Sequence, residues 1–268
     1  MDLKSGWFRF NDGDLFFESA GTGDAVVFLH GFGLDCRMWA PQFEALQSTF
    51  RVIRYDLRGF GRSSLPQAEY SHEDDLNALL SDLGAAPAHV VGLSMGGRMA
   101  LRFAAACPQS VRSLVLADSA LDGQTWSADW QRRWNGMCEA ARTDQLADAK
   151  RQWVEHPLFD PARANPFAFS LLTRMVEDYS GWHWCHRDTA RAPDPPLAER
   201  LGEIRARSLV ITGARDIPDF QAVGEALAAR LPVVQRTIIA GSGHMVNLEA
   251  PQEFNAALLA FWQESSRR

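Results

Sequence analysis

Ser94 stands in Gly92-Leu93-Ser94-Met95-Gly96-Gly97, a serine flanked by glycines two positions to either side. A strand-like apolar run, Ala88 to Val91, precedes it, and an alanine- and leucine-rich helical segment, Arg98 to Cys107, follows it before Pro108. A sharp strand-to-helix turn of this kind forces the serine into a strained backbone conformation and leaves no room for side chains beside it. The hydroxyl then projects clear of the sheet, where it can attack a carbonyl carbon. Serine is a poor nucleophile near neutral pH unless a neighbouring base takes its proton. His244, in the loop Gly241-Ser242-Gly243-His244-Met245 after the last apolar run, is the candidate base. His72, His89, His156, His183 and His186 lie in or beside helical segments and read as surface or packing residues.

Such a base needs a carboxylate to fix its tautomer and to stabilise the imidazolium formed in acyl transfer. Asp216, in Thr212-Gly213-Ala214-Arg215-Asp216, follows the penultimate apolar run. Asp118, at the end of Ser113 to Ala117, and Asp219 are its competitors. The oxyanion of a tetrahedral intermediate needs amide donors, each worth roughly 2.7 to 4 kcal/mol. Met95 supplies one N–H directly after the nucleophile, and Phe32, between glycines in His30-Gly31-Phe32-Gly33, supplies the other. His183, Cys185 and His186 are of metal-ligating type, but helical spacing puts them on different faces, so no metal is expected.

These residues must be held by a frame, and the rest of the chain supplies it. Trp7 to Phe10 and Leu15 to Glu18 around Asn11-Asp12-Gly13-Asp14 predict an opening hairpin. Ala25 to Leu29, Arg51 to Tyr55, His89 to Gly92, Ser113 to Ala117, Ser208 to Thr212 and Val233 to Ile239 are then apolar on both faces, several of them separated by helical patterns. That alternation predicts an α/β fold with a mostly parallel sheet covered on both sides. Residues 121–203 break the rhythm: they hold no convincing strand, and they carry six of the nine tryptophans. They predict a helical insertion, dividing the chain into a core of 1–120 and 204–268 and an insertion of 121–203. Trp126, Trp130 and Trp134 recur at every fourth position, a stripe that ordinarily means core packing; a substrate wall is the alternative.

A net charge of -6 gives no electrostatic reason to bind nucleic acid or an anionic membrane. No run approaches the roughly 20 apolar residues of a membrane span, and no signal-like amino terminus is present. A soluble cytoplasmic protein acting on a small molecule, without a cofactor, is expected. Four dispersed cysteines with no CxxC pair read as reduced thiols.

The chain order Ser94, Asp216, His244, the turn around Ser94 and the His30-Gly31 loop together resemble the α/β-hydrolase superfamily. Asp56-Leu57-Arg58-Gly59-Phe60-Gly61-Arg62-Ser63 is similar to a structural turn that follows a central strand in many members. The resemblance implies that 121–203 forms a helical cap over the active site, with Trp130, Trp134, Trp153 and Trp182 as pocket candidates. It excludes the branches whose nucleophile is aspartate. Within the serine branch the chain resembles small-molecule esterases and 3-oxoadipate enol-lactonases. Carbon-carbon bond hydrolases typically carry Gly-Pro-Gly where this chain has Gly33-Leu34-Asp35. Menaquinone-pathway lyases share the arginine at Arg98 but usually have tyrosine in place of Leu93. The resemblance also admits a reading of another class, a ligand sensor with slow turnover.

Overall fold

The computed structural model describes residues 3–265. Its centre is an eight-stranded sheet in the order β1-β2-β4-β3-β5-β6-β7-β8. The strands are β1 (Lys4–Phe10), β2 (Gly13–Ala20), β3 (Ala25–Leu29), β4 (Arg51–Tyr55), β5 (Ala88–Leu93), β6 (Val111–Ala117), β7 (Ser208–Gly213) and β8 (Val234–Ile239). β2 pairs antiparallel with both β1 and β4, and every other neighbouring pair is parallel. β3, β5 and β7 are buried at every residue, which is why their sequences are continuous apolar runs and not alternating ones. The opening hairpin is longer than its sequence signal: Phe10 already pairs with Gly13, and Asn11, at φ 53°, makes the tight turn.

Helices α1 (Ala40–Leu46), α2 (His72–Asp82) and α3 (Met95–Ala106) follow β3, β4 and β5, and α10 (Pro218–Arg230), α11 (Val246–Glu249) and α12 (Pro251–Ser265) follow β7 and β8. Between β6 and β7 the chain is helical, running through α4 (Ala128–Arg142), α5 (Leu146–Val154), α6 (Asp160–Arg163), α7 (Pro166–Asp178), α8 (Trp182–Cys185) and α9 (Leu197–Arg200). Ser127 caps α4 and Asn165 caps α7 through side-chain bonds to first-turn amides, which leaves the apolar faces of these helices to set their packing. Among the described residues no helix is long and apolar enough to cross a membrane. All four cysteines are free thiols.

Because β3 to β8 run parallel, their carboxyl ends lie along one edge of the sheet. The loops carrying Phe32, Ser94, Asp118, Asp216 and His244 all leave from that edge, where α/β proteins of this kind form their crevices.

Candidate active site

Ser94 links β5 directly to α3 with φ 57° and ψ -118°, a conformation that costs on the order of 1–3 kcal/mol for a non-glycine residue. The flanking glycines are a steric necessity. A Cβ on Gly92 would lie 2.2 Å from the Gly96 carbonyl oxygen, and one on Gly96 would lie 2.1 Å from the Leu29 carbonyl oxygen. Both obstacles are backbone and cannot give way. Backbone bonds then pin the strained residue: Ser94 N donates to Ala117 O at 3.0 Å, and Ser94 O accepts from Arg98 N at 3.1 Å and Ala120 N at 3.0 Å.

The loops after β7 and β8 meet backbone to backbone. A Cβ on Gly213 would lie 2.1 Å from the Gly243 carbonyl oxygen, and Arg215 N donates to Ser242 O at 2.8 Å. This contact delivers His244 to Asp216: His244 Nδ1 lies 2.8 Å from Asp216 Oδ2, with both residues buried. Asp216 Oδ1 accepts from Ile217 N at 2.7 Å, which fixes the carboxylate plane. With Nδ1–H directed at the carboxylate, the neutral imidazole presents its Nε2 lone pair. Glu249 holds the histidine loop by accepting from Gly243 N at 2.5 Å and Met245 N at 3.0 Å. Ser94 and His244 border one small cavity with Gly31 and Phe32.

The competing carboxylates fall elsewhere. Asp118, at φ 39° after β6, accepts from Gly213 N at 2.9 Å through Oδ1 and so supports the turn that carries Asp216. Burial first, and then the Asp216 charge, raise its pKa well above the usual carboxylate range. The neutral form of Asp118 is thereby favoured. Asp219 lies in the first turn of α10 and accepts from Ser127 N and Oγ at 2.7 and 2.9 Å, away from His244.

Met95 is the first residue of α3, so its amide has no earlier carbonyl of the helix to bond. Phe32 lies in the loop after β3, where a Cβ on Gly31 would sit 3.7 Å from Ser94 Cβ and Gly33 takes φ 69°. His30 braces this loop: its Nδ1 lies 2.8 Å from Gly31 O and its Nε2 accepts from Leu57 N at 2.9 Å. Burial lowers its pKa and keeps it neutral. The turn from Asp56 to Ser63 is likewise a strut, with Asp56 accepting from Cys36 N and Arg62 N at 2.8 Å each and Arg58 paired to Asp75 at 2.7 Å.

Asp35, Cys36 and Asp56 bring three ligand-type atoms within 4.8 Å of one another. Asp35 is bound by Arg37 and Asp56 by backbone amides, and burial pushes the Cys36 thiol well up in pKa, which keeps it protonated. That donor set is spent on holding the loop. His183, Cys185 and His186 bond separately to Tyr179, Ala141 O and Trp182 O.

A cavity of about 460 Å³ opens in front of Ser94. Its lining includes the aromatic Trp126, Trp130, Trp134, Trp153 and Phe220 and the polar His72, Arg98, Arg102, His183 and Asp188. The tryptophan stripe is thus a cavity wall as well as a packing seam, which corrects the plain packing expectation. Trp126 and Trp130 stack at 4.3 Å between ring centroids and both abut Phe220. Trp182 does not border the cavity. The single turn of α8 directs it outward, where it stacks on His186 at 5.1 Å, while His183 turns inward against Phe60 at 4.2 Å. His72 and His183, which read from sequence as surface or packing residues, are cavity residues. Burial lowers both pKa values, that of His183 to about 4, so both are neutral. Their distance in sequence from Ser94 left no signal that could have found them.

A family model for the alpha/beta hydrolase fold matches residues 24–251. A 3-oxoadipate enol-lactonase from Acinetobacter baylyi is 30% identical over 236 residues, 86% of this chain and 85% of that protein. A 2-hydroxy-6-oxononadienedioate/2-hydroxy-6-oxononatrienedioate hydrolase from Burkholderia vietnamiensis is 29% identical over 265 residues, 91% of this chain and 89% of that protein. Among solved structures, a thermophilic esterase from Thermogutta terrifontis with malate bound superposes with a TM-score of 0.80 at 26% identity, covering 97% of this chain and 98% of that one. With the family model spanning most of its length and a parallel sheet that carries the serine turn at its centre, the chain belongs to the α/β hydrolase family.

Proposed function

We propose that this protein is a serine hydrolase that cleaves a small carboxylic ester or lactone through an acyl-enzyme on Ser94, with residues 121–203 forming a cap that shapes the pocket. The observation that carries the reading is the buried 2.8 Å contact of His244 with Asp216 on the same cavity as a serine held in a strained turn. His244 Nε2 takes the Ser94 proton as Oγ adds to the carbonyl carbon, and the Phe32 and Met95 amides receive the resulting oxyanion. Collapse breaks the carbon-oxygen bond, and His244 returns the proton to the departing alcohol. Water, deprotonated by the same nitrogen, then releases the acid and restores Ser94. The family membership and the enol-lactonase and esterase relatives support this chemistry.

The test is a fluorophosphonate probe with peptide mapping, run beside a panel of p-nitrophenyl esters, an enol-lactone and a vinylogous diketone. The adduct is expected on the Ser94 peptide, with turnover of an ester or the lactone. In Ser94→Ala, labelling disappears and turnover falls by on the order of 10⁶. Preferential cleavage of the diketone would move the reaction to carbon-carbon hydrolysis. Ligand-dependent stabilisation with negligible turnover would make the protein a sensor.

A further inference from the structure

The cavity before Ser94 is lined by residues of two chemical kinds, and the position of the base says which half of a substrate meets the aromatic kind. His244 must protonate the leaving alkoxide, so the leaving group lies on the His244 side. That side is aromatic: the Phe220 ring is 4.2 Å from His244, and the Trp126–Trp130 stack packs against Phe220 at 5.4 and 5.6 Å. The polar lining residues are then left to the acyl half.

Arg98 is one of these polar residues. It sits one turn after Ser94 on α3, its N donating to Ser94 O. Among the described residues its guanidinium makes no hydrogen bond, and its buried Nε has no partner. The nearest acid, Asp122 Oδ1, is 3.9 Å from Nε, and both Asp122 oxygens are already taken by Arg102 at 2.7 and 2.5 Å. Asp188, the carboxylate in the same lining, accepts from Tyr70 Oη at 3.1 Å and Ala190 N at 3.0 Å. Were Arg98 only a structural partner of Asp122, it would share the fork that Arg102 occupies. Instead its side chain is 34% exposed and borders the cavity. Five N–H donors arranged in a plane, on a cation with its hydrogen bonds unmade, match a carboxylate better than any neutral group.

We propose that Arg98 binds a carboxylate on the acyl half of the substrate, so that the preferred substrates are monoesters of short dicarboxylic acids with an apolar aromatic alcohol. This rests on the ester-hydrolase reading above. In the reaction the ester acyl carbon-oxygen bond breaks, water supplies the new hydroxyl, the products are the dicarboxylate and the alcohol, and the carboxylate at Arg98 is unchanged.

The experiment measures phenol release from phenyl hydrogen succinate, glutarate and adipate and from the matching phenyl methyl diesters, in wild type, Arg98→Met and Arg98→Lys. For at least one chain length, wild-type kcat/KM is expected to favour the half-ester by about thirtyfold, the range of a charge-assisted hydrogen bond. Arg98→Met should bring that ratio to about one, and Arg98→Lys should leave it between. The wild-type comparison stands even where a variant fails to fold. Equal rates on half-esters and diesters, or a ratio unchanged in folded Arg98→Met, would overturn the proposal. Titration calorimetry with free glutarate and adipate separates the two readings. Binding by wild type and none by Arg98→Met, with no ester turned over, keeps the Arg98 site and removes the hydrolase reading. Ester turnover without dicarboxylate binding or half-ester preference does the reverse.

Discussion

The sheet edge that carries Ser94 and the helical segment from α4 to α9 are built on different principles. At the sheet edge, position is enforced by backbone against backbone: Gly92 on Gly96, Gly96 on Leu29, Gly213 on Gly243. In the helical segment it is set by ring against ring, with Phe32 at the centre, 4.9 Å from Trp134, 5.8 Å from Trp153 and 5.8 Å from His183. Backbone contacts of the first kind tolerate no added atom. Aromatic contacts of the second kind can re-form around a different side chain at a cost near 1 kcal/mol per pair, on the order of the extra energy of an aromatic contact. The proposed chemistry and the Arg98 side chain reside on the rigid side, and the proposed choice of alcohol on the adaptable one.

The largest effect expected from this contrast is on the acid. Asp216→Asn leaves His244 in the wrong tautomer and should lower kcat by on the order of 10⁴. Asp118→Asn puts a neutral isostere that still accepts from Gly213 N in place of a carboxyl whose neutral form is favoured, and should cost less than about tenfold, because the favoured form carries no charge. Steady-state kinetics of both variants on one ester checks this. If the losses are reversed, Asp118 carries the charge.

Next come the glycines. Gly96→Ala puts a methyl against the Leu29 carbonyl and should destabilise the fold by about 3 kcal/mol or more, within the range of severe overpacking. Gly136, inside α4, would meet only Gln152 Oε1 at 3.5 Å, so Gly136→Ala should stabilise by roughly 0.5–1 kcal/mol. Urea unfolding of the two variants gives opposite signs if the regions differ as described. Losses of similar size in both would erase the distinction.

A further effect is expected at the tryptophan wall, smaller than those of Asp216→Asn and Gly96→Ala. Trp130→Leu should change the kcat/KM ratio between short and bulky alcohol esters by roughly tenfold, about 1.4 kcal/mol of differential transition-state binding. Trp182→Leu, outside the cavity lining, should leave the ratio where it was. If Trp182 shifts the ratio and Trp130 does not, the wall is elsewhere.

The strand runs were legible in the sequence because residues buried on both faces must be apolar throughout; half of the strand ends coincide with expectation, and all but one of the others differ by one or two residues. The turn at Ser94 was legible because a strained conformation with backbone on both sides admits glycine and little else. Asp216 stood out less, since Asp118 and Asp219 also follow strands or open helices; only the register that sets Gly213 against Asp118 and Gly243 separates them. The pocket was the least legible part. Trp130, Trp134 and Trp153 reach it while Trp182 does not, and His72, Arg98 and His183 reach it from three different elements.

The reason is physical. A local steric rule leaves its mark on neighbouring residues, so the sequence by itself determined the parallel α/β sheet and the serine turn. Which side chains converge on a cavity depends on how α2, α3, α4 and α8 pack in three dimensions. No periodicity of 2 or 3.6 residues records that packing. The tertiary structure alone decided that Asp118 shares its burial with Asp216, that His183 and not Trp182 turns inward, and that Arg98 faces the cavity with its hydrogen bonds unmade.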